Sequence, residues 1–182
     1  MHAEALEWVR RYATTGPVTV LDIGGRDING TAHALFPGAA TYTVLDIVAA
    51  PGVDVVADAA TWTPDREYDV VVCTEVFEHT PHWRAILATA RRACTWGGRI
   101  IATMAGPGRP EHSGIDGGWT LHPGEHYANI APGDLAAALY EAGWCDVVID
   151  QQHSPADVRC VARAPGWFDY ARRGAAAGGG QG

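Results

Sequence analysis

The feature that most constrains the fold is a short apolar run that ends beside an acid and passes at once into glycines. Residues 18–23 are rich in β-branched side chains, which predicts a buried strand, and Asp22 is followed by Gly24 and Gly25. Thr31 is expected to cap a helix that follows. Open α/β sheets use a strand, a glycine turn and a helix N-terminus to hold an adenosine-type ligand. The two glycines are expected to let the backbone approach that ligand where a Cβ atom would collide.

Two further acidic strand ends follow the first. Residues 41–46 end on Asp46, and residues 53–58 end on Asp58. Asp46 follows Asp22 at close to the offset of roughly 20 residues at which an acidic side chain meets a ribose hydroxyl. A carboxylate there would accept both hydroxyl protons of the ribose diol and hold the nucleoside half of a ligand.

The rest of the chain alternates predicted strands and helices, which indicates an α/β fold with right-handed crossovers. The predicted helices are residues 2–15, a stretch that ends at Trp96 before Gly97–Gly98, and residues 133–142. The further predicted strands are residues 68–74, 99–104, 144–149 and 157–162, the last two as an antiparallel pair.

Five motifs together give a resemblance to class I S-adenosylmethionine-dependent methyltransferases. They are Leu21-Asp22-Ile23-Gly24, Leu45-Asp46, Ala57-Asp58-Ala59, the stretch from Thr74 to His79, and the turn from Ala93 to Ile101. The resemblance covers residues 18–150. It implies a Rossmann-like, doubly wound, seven-stranded and mostly parallel sheet of order 3-2-1-4-5-7-6, whose last strand is antiparallel.

The same resemblance implies a site for S-adenosyl-L-methionine. Arg26 and Ile28 occupy the second and third glycine positions of the family's loop. A dinucleotide needs a tight glycine turn around its pyrophosphate, whereas a donor without phosphate does not. The departure therefore argues more against a dinucleotide than against S-adenosyl-L-methionine. Two histidines, His79 and His126, are the candidate catalytic bases. The expected cofactor-binding residues are Asp22, Gly24, Gly25, Asp46, Ile47, Asp58, Ala59 and Glu75.

A long connection, residues 106–131, leaves the carboxyl end of the fifth strand and is expected to face the acceptor. Tyr127 and Asn129 are expected to be held more rigidly than the tip at Gly114–Gly118. The connection contains five residues that could bind a metal, but their spacing matches no compact ligand pattern, so no metal ligand is assigned. Those residues are Glu111, His112, Asp116, His122 and His126.

Composition and charge restrict the substrates and the cellular compartment that we expect for the protein. A formal net charge of −8, and a fourth strand without the motif of base-methylating relatives, disfavour a nucleic-acid substrate. Four scattered cysteines among apolar neighbours predict buried thiols of a reducing compartment. Without a long apolar run or a signal-peptide core, the chain is expected to be cytoplasmic and not to span a membrane. Residues 1–173 are predicted to form a single domain, with 174–182 as a disordered Gly/Ala tail.

The sequence thus predicts a methyltransferase that acts on an oxygen or nitrogen of a small molecule or glycan. Two alternatives stay open, a nucleotide- or dinucleotide-binding oxidoreductase and a catalytically silent methyltransferase-fold binding module. With no inserted lid, the cleft is expected to be shallow. Either a second copy in a homodimer closes it, or the acceptor is attached to something larger.

Overall fold

A computed structural model describes residues 2–166 of the chain. Within this range the chain forms seven strands, three α-helices and two short 3₁₀ turns, His33–Leu35 and Phe77–His79. The helices are α1 (Ala3–Tyr12), α2 (Trp83–Ala93) and α3 (Pro132–Glu141). The strands are β1 (Thr19–Ile23), β2 (Thr41–Asp46), β3 (Val55–Val56), β4 (Tyr68–Thr74), β5 (Cys94–Ala105), β6 (Cys145–His153) and β7 (Ala156–Arg163).

The strands form one sheet of order β3-β2-β1-β4-β5-β7-β6. Pairs from β3 through β5 are parallel, whereas β7 runs antiparallel to both β5 and β6. This confirms the predicted fold class and strand order. The chain order reverses between the neighbouring strands β1 and β4. Ligands of open α/β sheets bind outside the carboxyl ends of the strands at such a reversal.

Helices cover both faces of the sheet, and the side chains of β1 alternate between the two faces. Leu21 and Ile23 belong to a core cluster that includes buried residues of α2 and α3. Val20 points the other way and belongs to a second cluster with Trp8 and Val9 of α1. The Trp8 indole N–H also donates to the carbonyl of Cys160 in β7, at 3.1 Å, which fixes α1 across the sheet.

Two predicted elements near the nucleotide edge are shorter than expected. The helix that Thr31 was expected to cap is only the 3₁₀ turn His33–Leu35, and the Thr31 hydroxyl accepts from the His33 N–H at 3.2 Å. The third strand is only Val55–Val56, not residues 53–58. It ends because Asp58 starts a turn, in which its carboxylate accepts from the Ala60 N–H at 2.8 Å.

The glycine pair at Gly97–Gly98 lies inside a strand, not at the end of a helix. Helix α2 ends at Ala93 and β5 starts at Cys94, so the predicted helix end at Trp96 was wrong. Gly97 has φ +75°, and the register of β5 against β4 shifts over this stretch. A positive φ and an irregular register are typical of a bulge, and glycine tolerates both.

Three whole-chain predictions meet the structure differently. All four cysteines are free, and Cys73, Cys94 and Cys160 are buried as predicted, while Cys145 is only half-buried. None of the helices within residues 2–166 is long and apolar enough to cross a membrane. The predicted disordered tail, residues 174–182, lies outside the described residues.

Candidate functional site

A cleft of about 360 Å³ lies at the carboxyl ends of β1 and β4. Its walls come from four separate segments: the N-terminus, the loop after β1, the end of β4, and the connection between β5 and α3. The lining includes Asp22, Glu75, His79, Arg109, His112 and Trp119. The predicted residues Gly24 and Gly25 also line it, so the cleft brings together five of the predicted site residues.

Asp22 is a buried carboxylate with one unused oxygen. Asp22 is only 1% exposed, and its Oδ2 accepts from the Tyr42 hydroxyl at 2.6 Å. Oδ1 has no hydrogen-bond partner within the described residues. Burial raises the pKa of Asp22 to about 7, against the opposing effect of the Tyr42 hydrogen bond and with a further contribution from Asp46. A cationic or N–H donor in the cleft would satisfy Oδ1 and favour the ionised form.

Gly24 and Gly25 are required by the packing of the chain itself. Gly24 has φ +72°, and an added Cβ would lie 2.3 Å from Cγ2 of Val76. At Gly25 a Cβ would lie 2.6 Å from Cγ of Asp22. The glycines therefore let the turn fold closely around the Asp22 carboxylate, besides the predicted approach to a ligand.

The predicted nucleoside residues stand along the same edge of the sheet but outside the lining of this cleft. Asp46 ends β2 and accepts from the backbone N–H of Val48 at 2.9 Å and of Arg26 at 3.3 Å. Ile47 is 68% exposed. Asp58 and the buried Ala59 follow β3.

Glu75 adopts a conformation that is rare for a residue with a side chain. Its φ is +56°, in the left-handed region, which directs the residue after β4 into the cleft. The carboxylate accepts from the Thr103 hydroxyl at 2.9 Å and lies 3.4 Å from Nε2 of His2. Burial opposes ionisation, but these hydrogen bonds and the cations His2 and Arg109 hold the pKa of Glu75 below its usual value.

Glu75 is part of a charged cluster formed by His2, Glu75, Arg109 and Asp157. Asp157, at the start of β7, is completely buried; it pairs with Nη1 of Arg109 and lies 3.1 Å from Nε2 of His2. Burial lowers the pKa of His2, but the hydrogen bonds to Asp157 and Glu75 outweigh it and raise the pKa to about 10. Sequence reasoning missed His2 and Asp157, because no local pattern links the start of the chain to its last strand.

Glu78 is the second buried carboxylate after β4. It is 0% exposed, and Oε1 accepts from the Ala105 N–H at 3.0 Å. Oε2 has no hydrogen-bond partner among the described residues. Burial and the negative charge of Glu75 raise the pKa of Glu78 well above its usual value.

His79 follows directly, in the 3₁₀ turn Phe77–His79, and belongs to a ring cluster of His79, His112 and Tyr127. The His79 ring centroid lies 4.9 Å from that of His112 and 5.6 Å from that of Tyr127, both edge to face. Its Nδ1 is buried without a hydrogen-bond partner among residues 2–166, and Gly114 packs against the ring. Burial and the neighbouring His112 lower the pKa of His79 to about 4, so the imidazole is neutral at neutral pH.

The other residues proposed for the acceptor side brace the connection. The Tyr127 hydroxyl donates to the Pro110 carbonyl at 3.0 Å, and the Asn129 amide donates to the Arg109 carbonyl at 3.1 Å. His126 is half-buried and does not line the cleft.

The tip of the connection is anchored as well. Glu125 accepts from the Ser113 hydroxyl at 3.0 Å and from the N–H groups of Gly114 at 2.9 Å and Ile115 at 3.2 Å. From the other side, the Arg26 guanidinium donates to the Ile115 carbonyl at 3.2 Å. The tip therefore lies against the loop after β1.

Two groups of side chains among the described residues offer ligand atoms within 4.8 Å of one another. One is Glu78, His79 and His112; the other is His2, Glu75 and Asp157. Of the loop residues that the sequence suggested could be assembled into a site, Asp116 and His122 pair with each other at 3.0 Å on the surface, and Asp116 also accepts from the Gly118 N–H at 2.8 Å. Spacing along the sequence did not predict the first group, since β4 and the connection supply its members separately.

Comparisons with known proteins agree with this geometry. The chain is similar to the protein in the structure of a DhpI–SAH complex, with 23% identity and a TM-score of 0.66 over 90% of this chain and 83% of that one. It is similar to the N-methyltransferase NodS from Bradyrhizobium japonicum in complex with S-adenosyl-L-homocysteine, with 16% identity and a TM-score of 0.62 over 89% and 86%. It is also similar to Burkholderia thailandensis 1,6-didemethyltoxoflavin-N1-methyltransferase, with 17% identity and a TM-score of 0.64 over 90% and 77%.

At these identities the likeness establishes the fold. No protein in the curated set matches the sequence. The family description "Methyltransferase domain" matches residues 1–148, which include β1 to β5 and every residue that lines the cleft. The chain therefore belongs to the methyltransferase domain family, and its fold is that of class I S-adenosylmethionine-dependent methyltransferases.

Proposed function

We propose that this protein transfers a methyl group from S-adenosyl-L-methionine to an oxygen or nitrogen atom of a small molecule or glycan. The observation that carries the proposal is the unpartnered oxygen of Asp22, buried at the end of β1 in the wall of the cleft. A buried acceptor without a partner costs stability, and a ligand ammonium group in the cleft would remove that cost. The methionine part of the donor carries such a group.

The nucleoside half of the donor would extend from this cleft along the edge of the sheet. Asp46 would accept from the ribose hydroxyls, and Ile47, Asp58 and Ala59 would border the adenine. The exposed side chain of Ile47 supports this, because an adenine ring would cover apolar surface that is now in contact with water. The relatives solved with S-adenosylhomocysteine have the same fold.

On the acceptor side, the enzyme would mainly align the two partners and exclude water, since methyl transfer from a sulfonium is an in-line displacement. His79 lines the cleft as a neutral imidazole, which can accept a hydrogen bond from an acceptor O–H or N–H. His126, the second predicted base, lies in the long connection but does not line the cleft. We expect His126→Ala or Tyr127→Phe to lower turnover while donor affinity stays within a few-fold of the parent, measured by product formation and by calorimetry.

We infer the cellular compartment from the cysteines. Four free cysteines fit a reducing compartment such as the cytoplasm.

Trp119 lines the cleft and is still 77% exposed, so a large aromatic side chain is available to be covered by an acceptor or by a second copy of the chain.

Calorimetry with S-adenosylmethionine, S-adenosylhomocysteine and NAD tests the proposal. We expect the first two to bind and NAD not to bind. Asp46→Ala should weaken donor binding by roughly 2–4 kcal/mol, because hydrogen bonds from the ribose diol to a carboxylate are lost. Asp65→Ala is the matched control, since Asp65 is exposed and its one ion pair among the described residues is with the neighbouring Arg66, at 3.8 Å.

Release of S-adenosylhomocysteine in the presence of sugars and of small amines and alcohols then tests turnover. Binding of NAD without the donor would favour an oxidoreductase. Donor binding with no transfer to any acceptor class would favour a silent binding module. Unchanged donor affinity in Asp46→Ala would show that the ribose assignment is wrong.

A further inference from the structure

We propose that Glu78, His79 and His112 form a divalent metal site at the acceptor side of the cleft, and that the methyl acceptor binds there through a hydroxyl oxygen. The second half of this proposal rests on the proposed function; the first half does not. The sequence assigned no metal ligand, and the site depends on a contact between the end of β4 and the long connection that only the folded chain makes.

Glu78 supplies the strongest evidence. Its side chain is completely buried, and one oxygen is held by the backbone N–H of Ala105. The other oxygen, Oε2, has neither a hydrogen bond nor an ion pair among the described residues. Burying a carboxylate oxygen without a partner is costly, so the position is expected to serve a group that supplies positive charge.

His112 is oriented as a ligand. Its Nδ1 lies 3.2 Å from the Pro110 carbonyl oxygen. A carbonyl can only accept, so Nδ1 carries the proton and the lone pair is on Nε2. Histidines that bind metals commonly donate their other N–H to a backbone carbonyl in this way, which fixes both the tautomer and the ring. The same Pro110 carbonyl accepts from the Tyr127 hydroxyl, which holds the position of the connection.

His79 completes the group; with an ion bound, its one lone pair is used on the metal, so the hydrogen bond from the acceptor described under the proposed function applies to the metal-free protein. Its Nδ1 is buried and has no hydrogen-bond partner in the described part of the chain. The ring is held between Gly114 and the ring of His112, whose centroid is 4.9 Å away. At Gly114 a Cβ would lie 2.9 Å from Cγ of His79, so the absence of a side chain there lets the connection approach the ring.

The spacing suits a cation of the first transition series or zinc. The three ligand atoms lie within 4.8 Å of one another, and tetrahedral coordination with bonds of about 2.1 Å needs them roughly 3.4 Å apart, so the longest of these separations would shorten by up to about 1.4 Å on binding. Two histidines and one carboxylate leave further coordination positions open. Since His79 and His112 line the cleft, an open position would face the acceptor.

The second group of possible ligands, His2, Glu75 and Asp157, does not compete. Arg109 already pairs with Asp157, and its guanidinium lies 3.9 Å from Glu75. A guanidinium therefore supplies the positive charge in that group. In Glu78, His79 and His112 no arginine or lysine pairs with the carboxylate among the described residues, which is why we assign the cation to this group.

The cation would act on the acceptor as a Lewis acid. A hydroxyl oxygen on the open position releases its proton to water more readily, and its electron pair forms the new bond to the methyl carbon. The carbon–sulfur bond breaks with its electrons going to sulfur, which yields the methyl ether and neutral S-adenosylhomocysteine. An alcohol or phenol gains most from this activation, which favours an oxygen acceptor over an amine.

Metal binding alone tests the site. After chelator treatment, the protein is titrated with Co²⁺ and with Zn²⁺, followed by the visible spectrum of Co²⁺ and by calorimetry. We expect one ion per chain, with affinity at least about tenfold weaker in Glu78→Gln and in His112→Phe. Glu78→Gln keeps an oxygen for the Ala105 N–H, and His112→Phe keeps an aromatic ring against His79, so both variants should fold. His82→Ala is the control, because His82 is exposed at the start of α2 and caps nothing with its side chain.

Stoichiometric binding that both variants lose and the control keeps would establish the site. Failure of the parent to bind one ion per chain, or equal binding by all four proteins, would overturn it. S-adenosylmethionine binding, measured on the same samples, separates the two proposals: a protein that binds the ion but not the donor refutes the proposed function and keeps the site. If the donor binds and alcohols are methylated equally well after complete removal of metal, the Lewis-acid role is wrong.

Discussion

Gly24 is constrained in two separate ways, by its backbone and by its neighbour. Its φ of +72° disfavours any side chain, and a Cβ would lie 2.3 Å from Cγ2 of Val76. Gly52 has a similar φ of +83°, and no atom of the described part of the chain lies within 4 Å of the added Cβ. We expect Gly52→Ala to cost about 1 kcal/mol of unfolding free energy and Gly24→Ala at least about 2 kcal/mol, because only the latter adds overpacking to backbone strain. Urea denaturation measures both, and equal losses would show that the clash with Val76 is relieved without cost.

Asp22 should make both stability and donor binding depend on pH. Its pKa in the folded protein, about 7, lies above that of the unfolded chain, so its contribution to stability is full below pH 4 and is lost as pH rises through 7. Asp22→Asn should therefore raise the melting temperature relative to the parent at pH 8 and not at pH 4.

Donor affinity should change in the opposite direction, since the ammonium group of the donor needs the ionised form of Asp22. Affinity of the parent should rise between about pH 6 and 7 and fall again once the donor's α-amino group loses its proton near pH 8. In Asp22→Asn the rise should be absent. Calorimetry over this range decides, and an unchanged rise in the variant would remove Asp22 from the donor site.

For single residues, the sequence predicted which side chains lie at the ends of strands better than it predicted which side chains they pair with. The acidic strand ends are visible because an apolar run leads to each of them, as at Asp22 and Asp46. The pairing of His2 with Asp157 could not be predicted, because it joins the first and last parts of the chain only after the sheet has formed.

Among the elements, the connection from Gly106 to Ala131 depends most on a single side chain. Glu125 accepts from Ser113, Gly114 and Ile115, and also from the His122 N–H at 2.5 Å. Burial would raise the pKa of Glu125, but these hydrogen bonds lower it, so the carboxylate is charged at neutral pH. The connection is thus folded around one anion.

Glu125→Gln should loosen this connection without affecting the nucleoside half of the site. We expect faster hydrogen exchange at the backbone amides of Gly114 and Ile115 and lower turnover, with donor affinity within a few-fold of the parent. Glu111→Gln is the control, because Glu111 is an exposed acid of the same connection. Unchanged exchange in Glu125→Gln would mean that a neutral amide oxygen holds the tip as well as the carboxylate does, so that the negative charge contributes nothing.

Elements inside the sheet were predictable where an apolar run alone decides them. β4 begins and ends as the run of residues 68–74 predicted. The limits of α2 and β5 were not predictable, because the turn between them depends on a bulge at Gly97 and on register with β4. The path of the connection was not predictable either, because it follows hydrogen bonds to Glu125 and Arg26 rather than a repeating pattern.

For the whole molecule, the charged cluster joins four distant parts of the chain: the residue before α1, the end of β4, the connection after β5 and the start of β7. His2 faces Asp157 and Glu75 and also Glu4, while Arg109 is the one like charge beside it among the described residues. Its pKa of about 10 lies above the ordinary value of 6.5, so it stabilises the fold in its protonated form.

His2→Ala should therefore destabilise the protein in a pH-dependent way. The loss of melting temperature relative to the parent should be largest below about pH 6.5, should shrink as pH rises, and should vanish above about pH 10. His82→Ala should show no such trend. A loss that is constant between pH 6 and pH 10 would mean that His2 contributes packing and no charge.

The strand order could be predicted because the resemblance to class I methyltransferases implies it, and the alternation of strands and helices with right-handed crossovers fits that order. What the order could not indicate is that the start of the chain contributes to the cleft wall.

That contribution has a practical consequence for anyone who produces the protein. His2 lines the cleft and is held there by two carboxylates, so a peptide fused ahead of it begins at the mouth of the site. A polyhistidine tag in that place would bring extra imidazoles close to Glu78, His79 and His112, where they could capture metal on their own account. Measurements of metal content and of turnover are best made on protein from which any such leader has been cleaved.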